Sequence, residues 1–278
     1  MKTRIPDDKQ FLFLGGVHRS GTSLLNRTLG RHPDISAFSG TGKPEDEGQH
    51  LQSVYPPDYA HGSPGRFGFH PDSMMNEHHP LATHANAEHI YSEWAQYWET
   101  GKPVLMEKSP PNIIRTRFLQ HLFPDSMFLM ILRHPVTVAY ATLKWCPVDL
   151  PALIEHTLGC YERLAEDRLF LYNILVLRYE DMLRNPQRLF REIEKFCGIR
   201  AFPQQIDVDE SRNSVYVQRW RQDLDRLGSR QSILLRAYHE LFAERLAAFG
   251  YMLDDLDNAA DIPWIYSPGG YRPAEHTF

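Results

Sequence analysis

Residues 11–25 read Phe-Leu-Phe-Leu-Gly-Gly-Val-His-Arg-Ser-Gly-Thr-Ser-Leu-Leu, and no other stretch limits the possible folds so tightly. The run Phe11–Leu14 has no polar break, which suits a strand covered on both faces. Gly15, Gly16 and Gly21 then punctuate a tight turn. From Thr22 to about Arg31 the leucines at 24, 25 and 29 recur at helical spacing. Such a turn leaves the helix's first N–H groups without internal partners, at the positive end of its dipole. That geometry cradles an anion. The segment would also serve as a plain strand–turn–helix corner. The coincidence of glycines, hydroxyls and an arginine favours the cradle.

The rest of the chain repeats the strand-then-helix pattern. Ile35–Phe38, Val104–Glu107, Met127–Leu132 and Ile174–Leu177 read as short strands. Helices are expected over 84–100, Pro111–Leu122, Val136–Trp145, Pro151–Tyr172, Pro186–Phe196 and Arg230–Phe249, with a short one over Glu45–Val54. This alternation predicts an α/β fold, a three-layer α/β/α arrangement around a central parallel sheet. No repeat or linker divides the 278 residues, so one domain over 1–278 is expected. Within it, 1–10 forms an N-terminal arm, 39–100 a variable lid region and 255–278 an extended tail. Residues 39–80 make a long loop, a length typical of lids and binding loops or of a missed element.

Composition excludes several classes. Hydrophobic residues make up 42%, charged residues 23%, and the net charge is −5. That is an ordinary globular balance which gives no reason to expect a nucleic acid partner. No stretch approaches 18 apolar residues, so a cytoplasmic protein without a membrane anchor is expected. Cys146, Cys160 and Cys197 lack metal-ligand spacing and read as reduced, buried thiols. His78-His79 has no Cys partner and no His-Glu-x-x-His spacing, so no metal is expected. The sequence does not address oligomeric state.

Gly16 and Gly21 have the glycine spacing of a nucleoside-triphosphatase loop, but Thr22 stands where that loop carries lysine. The loop's cation is Arg19. The segment Gly16–Leu25 resembles the 5′-phosphosulfate loop of sulfotransferases that use 3′-phosphoadenosine 5′-phosphosulfate (PAPS). It is most similar to their bacterial and tyrosylprotein branch. The resemblance implies a P-loop-like sulfotransferase fold, with Arg19, Ser20, Gly21, Thr22 and Ser23 on the 5′-phosphosulfate.

Further segments extend the likeness. Met127–Leu132 followed by Arg133-His134-Pro135 resembles the family's 3′-phosphate site, which implies that Arg133 clamps that phosphate; guanidinium suits it. The serine that relatives place eight residues on is Ala141 here, with Thr142 and Lys144 as nearby substitutes. The segment Val176–Pro186 is similar to the family's strand-to-helix passage and implies Tyr179 beside the adenine or 3′-phosphate. Ser211–Trp220 sits where the family closes a loop over the nucleotide, implying Arg212, Asn213 and Ser214 as ligands. Glu47, in Glu45-Asp46-Glu47-Gly48-Gln49, matches the family's base. Lys108, in Val104–Pro110, matches its catalytic lysine, acting with Arg19 on the transferring group. His50 is a second candidate base. The acceptor would be a hydroxyl compound such as a sugar, tyrosine, lipid or natural product. The alternatives are a kinase using Mg-ATP, or a non-catalytic nucleotide- or carbohydrate-binding protein.

Overall fold

A computed structural model describes residues 4–146, 148–203 and 211–266, apart from the side chains of Ser211, Arg212 and Ser229. Five strands form one sheet: β1 (Gln10–Gly15), β2 (Ile35–Ala37), β3 (Val104–Lys108), β4 (Met127–Leu132) and β5 (Ile174–Arg178). Their order is β2-β3-β1-β4-β5, and every pairing is parallel. This is the expected parallel sheet.

The sheet's apolar runs divide between two cores, as period-2 side chains must. On one face Phe11, Phe13, Leu105, Phe128, Met130 and Leu132 are buried. They pack with helices α2 (His84–Trp94), α3 (Thr116–Leu122), α4 (Pro135–Thr142) and α5 (Leu150–Asp167). On the other face Leu12, Leu14, Met106, Leu129, Ile131 and Leu177 meet Leu25 and Leu29 of α1 (Thr22–Leu29). Met182 of α6 (Tyr179–Arg184) and Leu189 and Ile193 of α7 (Pro186–Phe196) join them. Each fully buried Leu, Ile or Phe contributes about 1.5–3 kcal/mol of transfer free energy. Helices α8 (Ser211–Arg226) and α9 (Gln231–Ala247) add Trp220, Phe242 and Leu246 to the first face. Cys146, Cys160 and Cys197 are buried and free.

Several sequence expectations need correction, among them the helix expected over 84–100, which ends at Trp94. The helix expected from Pro111 begins as a 3₁₀ turn, Pro110–Ile114, and α3 starts only at Thr116. Two prolines lack N–H donors there, and Arg115 (φ −126°, ψ 13°) breaks the helical path. The helix expected over Glu45–Val54 is two 3₁₀ turns flanking an extended Glu47. Glu45 and Asp46 both take positive φ, held by Asp46, whose carboxylate accepts from Thr41 N at 2.7 Å and Thr41 Oγ1 at 2.7 Å. The loop expected over 211–220 is the start of α8. Helix α5 stops at Asp167, short of Tyr172, and a 3₁₀ turn continues to Phe170.

The long 39–80 segment is tied to the core by buried polar contacts. The fully buried Arg115 donates to Ser73 O at 3.2 Å and Pro56 O at 3.3 Å. Gly68 N donates to His156 Nε2 of α5 at 3.0 Å. At the other end of the chain, Arg178 donates to Phe249 O and Ala260 O at 3.0 and 2.7 Å. Tyr266 N donates to Val176 O at 2.8 Å, docking the described part of the tail beside β5. Residues 267–278 of the expected tail lie outside the described residues. Among the described residues, no helix is long and apolar enough to cross a membrane.

Two buried histidines, His156 and His134, the latter bonded to Met252 O at 2.9 Å, make the fold sensitive to acid. Burial lowers His134 to about 4 and His156 to about 3, so both sit neutral in the folded state. The unfolded chain protonates them near pH 6.5. Between those values the unfolded state carries more protons, so stability falls as pH falls. The expected slope is about 1.4 kcal/mol per pH unit for each histidine. Urea unfolding from pH 7 to 4.5 should show this slope, and His156→Gln should remove about one histidine's share. An unchanged slope in that variant would refute the assignment.

Candidate active site

Parallel strands all end at one edge of the sheet, and a crevice at that edge is where α/β folds bind ligands. Here Gly15 ends β1, Lys108 ends β3, Arg133 follows β4 and Tyr179 follows β5. Register sets Lys108 beside Leu14, and Leu132 beside Arg178. Residues far apart in sequence therefore converge.

The glycine loop enters α1 through Gly21, at φ 110°. A Cβ there would lie 2.6 Å from the Tyr179 ring, so glycine is needed for both conformation and space. Arg19 also holds a positive φ, 70°, an uncommon state for a residue with a side chain. Leu24 N and Leu25 N make the first helical bonds, both to Gly21 O. Thr22 and Ser23 stand ahead of them, where N–H groups lack helical partners. Both line a cavity of about 610 Å³, together with Arg19, Gly21, Arg133 and Tyr179. Ser20 departs from expectation. Its N–H bonds to Val17 O at 3.1 Å, and its hydroxyl is buried without a partner, away from the cavity.

Arg133 forms one wall. Its guanidinium lies 4.1 Å over the Tyr179 ring centroid and 5.6 Å from that of Tyr216. It donates to Arg19 O at 2.8 Å and to Asn213 Oδ1 at 2.9 Å, while its Nε is buried and unpartnered. Thus β4, β5, α8 and the glycine loop are joined by one side chain. Asn213 reaches the site through Arg133. Ser214 is exposed and lines a separate hollow with Glu180 and Arg184. The Arg212 side chain lies outside the described residues. Of the substitutes for the missing serine, Thr142 bonds back to Val138 O, and Lys144 lies over Trp145; neither lines this cavity.

The acid–base candidates sit on the other side of the loop. Glu47 and Lys108 are both buried, with Nζ 3.0 Å from Glu47 Oε1. Nζ also donates to Glu45 O at 2.8 Å, a carbonyl presented by the positive-φ turn. Glu47 Oε2 accepts from Gln49 Nε2 at 2.6 Å, and His50 Nε2 lies 3.8 Å away. Burial holds His50 below its ordinary range. Glu47 lines a second cavity of about 300 Å³, but Lys108 lines neither. The sequence expectation had placed Lys108 directly at the transferring group; it stands instead behind Glu47.

Several participants were not singled out in the sequence. Glu107 is fully buried below the pair, and Gly48 passes so close that a Cβ would lie 2.4 Å from its carboxylate. Burial raises Glu107 to about 7, the Glu47 charge adds to this, and bonds from Ser109 and Asn112, each at 2.5 Å, oppose it. Asn112 also donates to Leu14 O, pinning the end of β1. His18 Nε2 pairs with Asp58 Oδ2 at 3.0 Å, and Asp58 N donates to Gln49 Oε1 at 2.9 Å. Burial raises the Asp58 carboxyl, but the His18 hydrogen bond and charge outweigh it and hold it below the usual range. The only hint in the sequence was position: His18 lies inside the glycine loop. Tyr216 gave none: it stands in a segment read as a loop, and only α8 turns it towards Arg133.

Among the described residues, no group of three or more His, Cys, Asp or Glu is placed to hold a metal ion.

A model of the sulfotransferase family matches residues 12–204, well over half the chain. Among solved structures, a sulfotransferase from Alicyclobacillus acidocaldarius is 17% identical, with a TM-score of 0.49, covering 80% of this chain and 95% of that one. Sulfotransferase STF9 from Mycobacterium avium is 14% identical with a TM-score of 0.47, covering 77% and 68%. Mouse sulfotransferase SULT7A1, solved with PAP, is 14% identical with a TM-score of 0.39, covering 78% and 66%. These likenesses are distant, and the weight falls on the family match, which spans β1 through α7 and so takes in the glycine loop, Glu47, Lys108, Arg133 and Tyr179. The chain belongs to the sulfotransferase family.

Proposed function

We propose that this protein transfers a sulfuryl group from PAPS to a hydroxyl acceptor. The observation that carries the reading is the meeting of two cavities at Arg19, Thr22, Ser23 and Glu45, one walled by Arg133 and the other by Glu47. The larger takes the donor. Its 5′-phosphosulfate lies on the loop amides, the hydroxyls of Thr22 and Ser23, and Arg19. Its 3′-phosphate meets the Arg133 guanidinium, which lines that cavity.

In the transfer, the acceptor oxygen attacks sulfur as the bond from sulfur to the bridging phosphate oxygen breaks. The acceptor's proton passes to Glu47. The electron pair of the broken bond leaves with 3′,5′-ADP, its charge held by the loop dipole and Arg19. Positioning and preorganised charge supply most of the rate, as in phosphoryl transfer. Lys108 acts through Glu47. Its ammonium, 3.0 Å from Glu47 Oε1, holds the carboxylate in place, as a positioned general base requires.

Two outcomes follow. First, 3′,5′-ADP at a hundredfold excess over its Kd should stabilise the protein by about 2.7 kcal/mol. Arg133→Ala should weaken that binding about tenfold to a hundredfold, the loss of a charged hydrogen bond. Thermal shift and calorimetry check both, and a protein stabilised only by Mg-ATP would be a kinase instead. Second, Glu47→Gln should lower kcat by about 10²–10⁴ while leaving the 3′,5′-ADP Kd within about twofold. Full turnover in that variant removes Glu47 as the base.

A further inference from the structure

The smaller cavity, about 300 Å³, lies at the low end of the range for small-molecule sites. Away from the donor junction its walls are the rings of Tyr59 and Trp145 with Pro44, Pro64 and Pro110. Tyr59 is 65% exposed and Trp145 61% exposed, so two aromatic side chains stand largely uncovered at one opening. His50 stacks on Tyr59 at 5.9 Å, and Arg19 and Lys144 lie 5.7 and 5.6 Å from the Trp145 ring. Apolar walls of this kind gain free energy when a ring covers them.

Several polar groups of the lining already have partners within the protein. His18 is paired with Asp58, Glu47 with Lys108 and Gln49, Thr142 with Val138 O, and Ser23 with Glu45. A molecule with many hydroxyls would give up its hydration without finding replacement partners. An anionic acceptor would face the carboxylates of Glu45, Glu47 and Asp58, and a cationic one would face Arg19.

We propose that this cavity binds an uncharged ring compound carrying a single reactive hydroxyl, of the phenol kind. The inference rests on the donor reading above. The ring lies between Tyr59 and Trp145, and its hydroxyl points to the junction beside Glu47. There its oxygen bonds to the donor's sulfur, its proton goes to Glu47, and 3′,5′-ADP departs.

The test measures 3′,5′-ADP release from PAPS with 4-nitrophenol and 2-naphthol, alongside glucose and an acidic tyrosine-containing peptide. The phenols should turn over, with the sugar and peptide inert. Tyr59→Ala and Trp145→Ala should each raise the phenol KM about tenfold or more, roughly the loss of one stacking wall. The exposed Tyr59 can be removed without opening the core, and a 3′,5′-ADP Kd within about twofold of wild type confirms an intact fold. If 3′,5′-ADP binds but the phenols are not sulfated, or both variants leave KM unmoved, the inference is overturned. Sulfation of glucose or the peptide at a lower KM than the phenols overturns it equally. Failure to bind 3′,5′-ADP at all is a different result, which removes the donor reading itself.

Discussion

Because the five strands run parallel, their carboxyl ends meet at one edge, and the cleft is built from what each strand delivers there. The glycine loop comes from β1, Lys108 from β3, Arg133 from β4 and Tyr179 from β5. An antiparallel partner at any place would carry one of these groups to the opposite edge. The same constraint explains the apolar character of the strands. A parallel sheet needs helices on both faces, so Phe13 and Leu14 are both buried although they point in opposite directions. Arg133 then fixes the edge laterally by binding the Arg19 carbonyl while lying over Tyr179.

Such a cleft requires buried charge, which is stable only when paired and hydrogen-bonded. Glu47 and Lys108 satisfy each other, and Gln49 and the Glu45 carbonyl take up further positions on the pair. Removing one member of such a pair typically costs about 3–5 kcal/mol, because the other is left uncompensated. Glu107 extends the network downward. Its two bonds link the turn after β3 to the end of β1 through Ser109 and Asn112, and the close passage of Gly48 brings the Glu47 segment against it. The strain in the Glu45-Asp46 turn has a clear purpose in this setting: it presents a carbonyl to Lys108 that an ordinary helix would have kept for itself.

Much of this was readable in the sequence, for local reasons. An unbroken apolar run of four residues bounded by glycine suits a covered strand, and the helix start that follows suits an anion cradle or a corner. The strand ends that carry Lys108, Arg133 and Tyr179 were legible through the same pattern. The misreadings occurred where side chains override local propensity. Glu45–Val54 has the composition of a helix, yet Asp46 binds back to Thr41 and breaks it. Ser20 looks like a loop hydroxyl, yet the turn directs it inward. Asn213 stands in a segment read as a loop, yet it lies on a helix and reaches the cleft through Arg133.

The sequence by itself determined the layers, the sheet and the strand–turn–helix path of the glycine loop. Those features depend on periodicity and backbone conformation within a few residues. Only the tertiary structure decided how the charges are shared: that Lys108 stands behind Glu47, that His18 is held by Asp58, and that Tyr59 and Trp145 flank one opening. The physical reason is range. Propensity acts between neighbours in sequence, whereas pairing and desolvation act between neighbours in space. The residues that share this cleft are drawn from positions 19 to 216, and nothing short of the folded sheet brings them together.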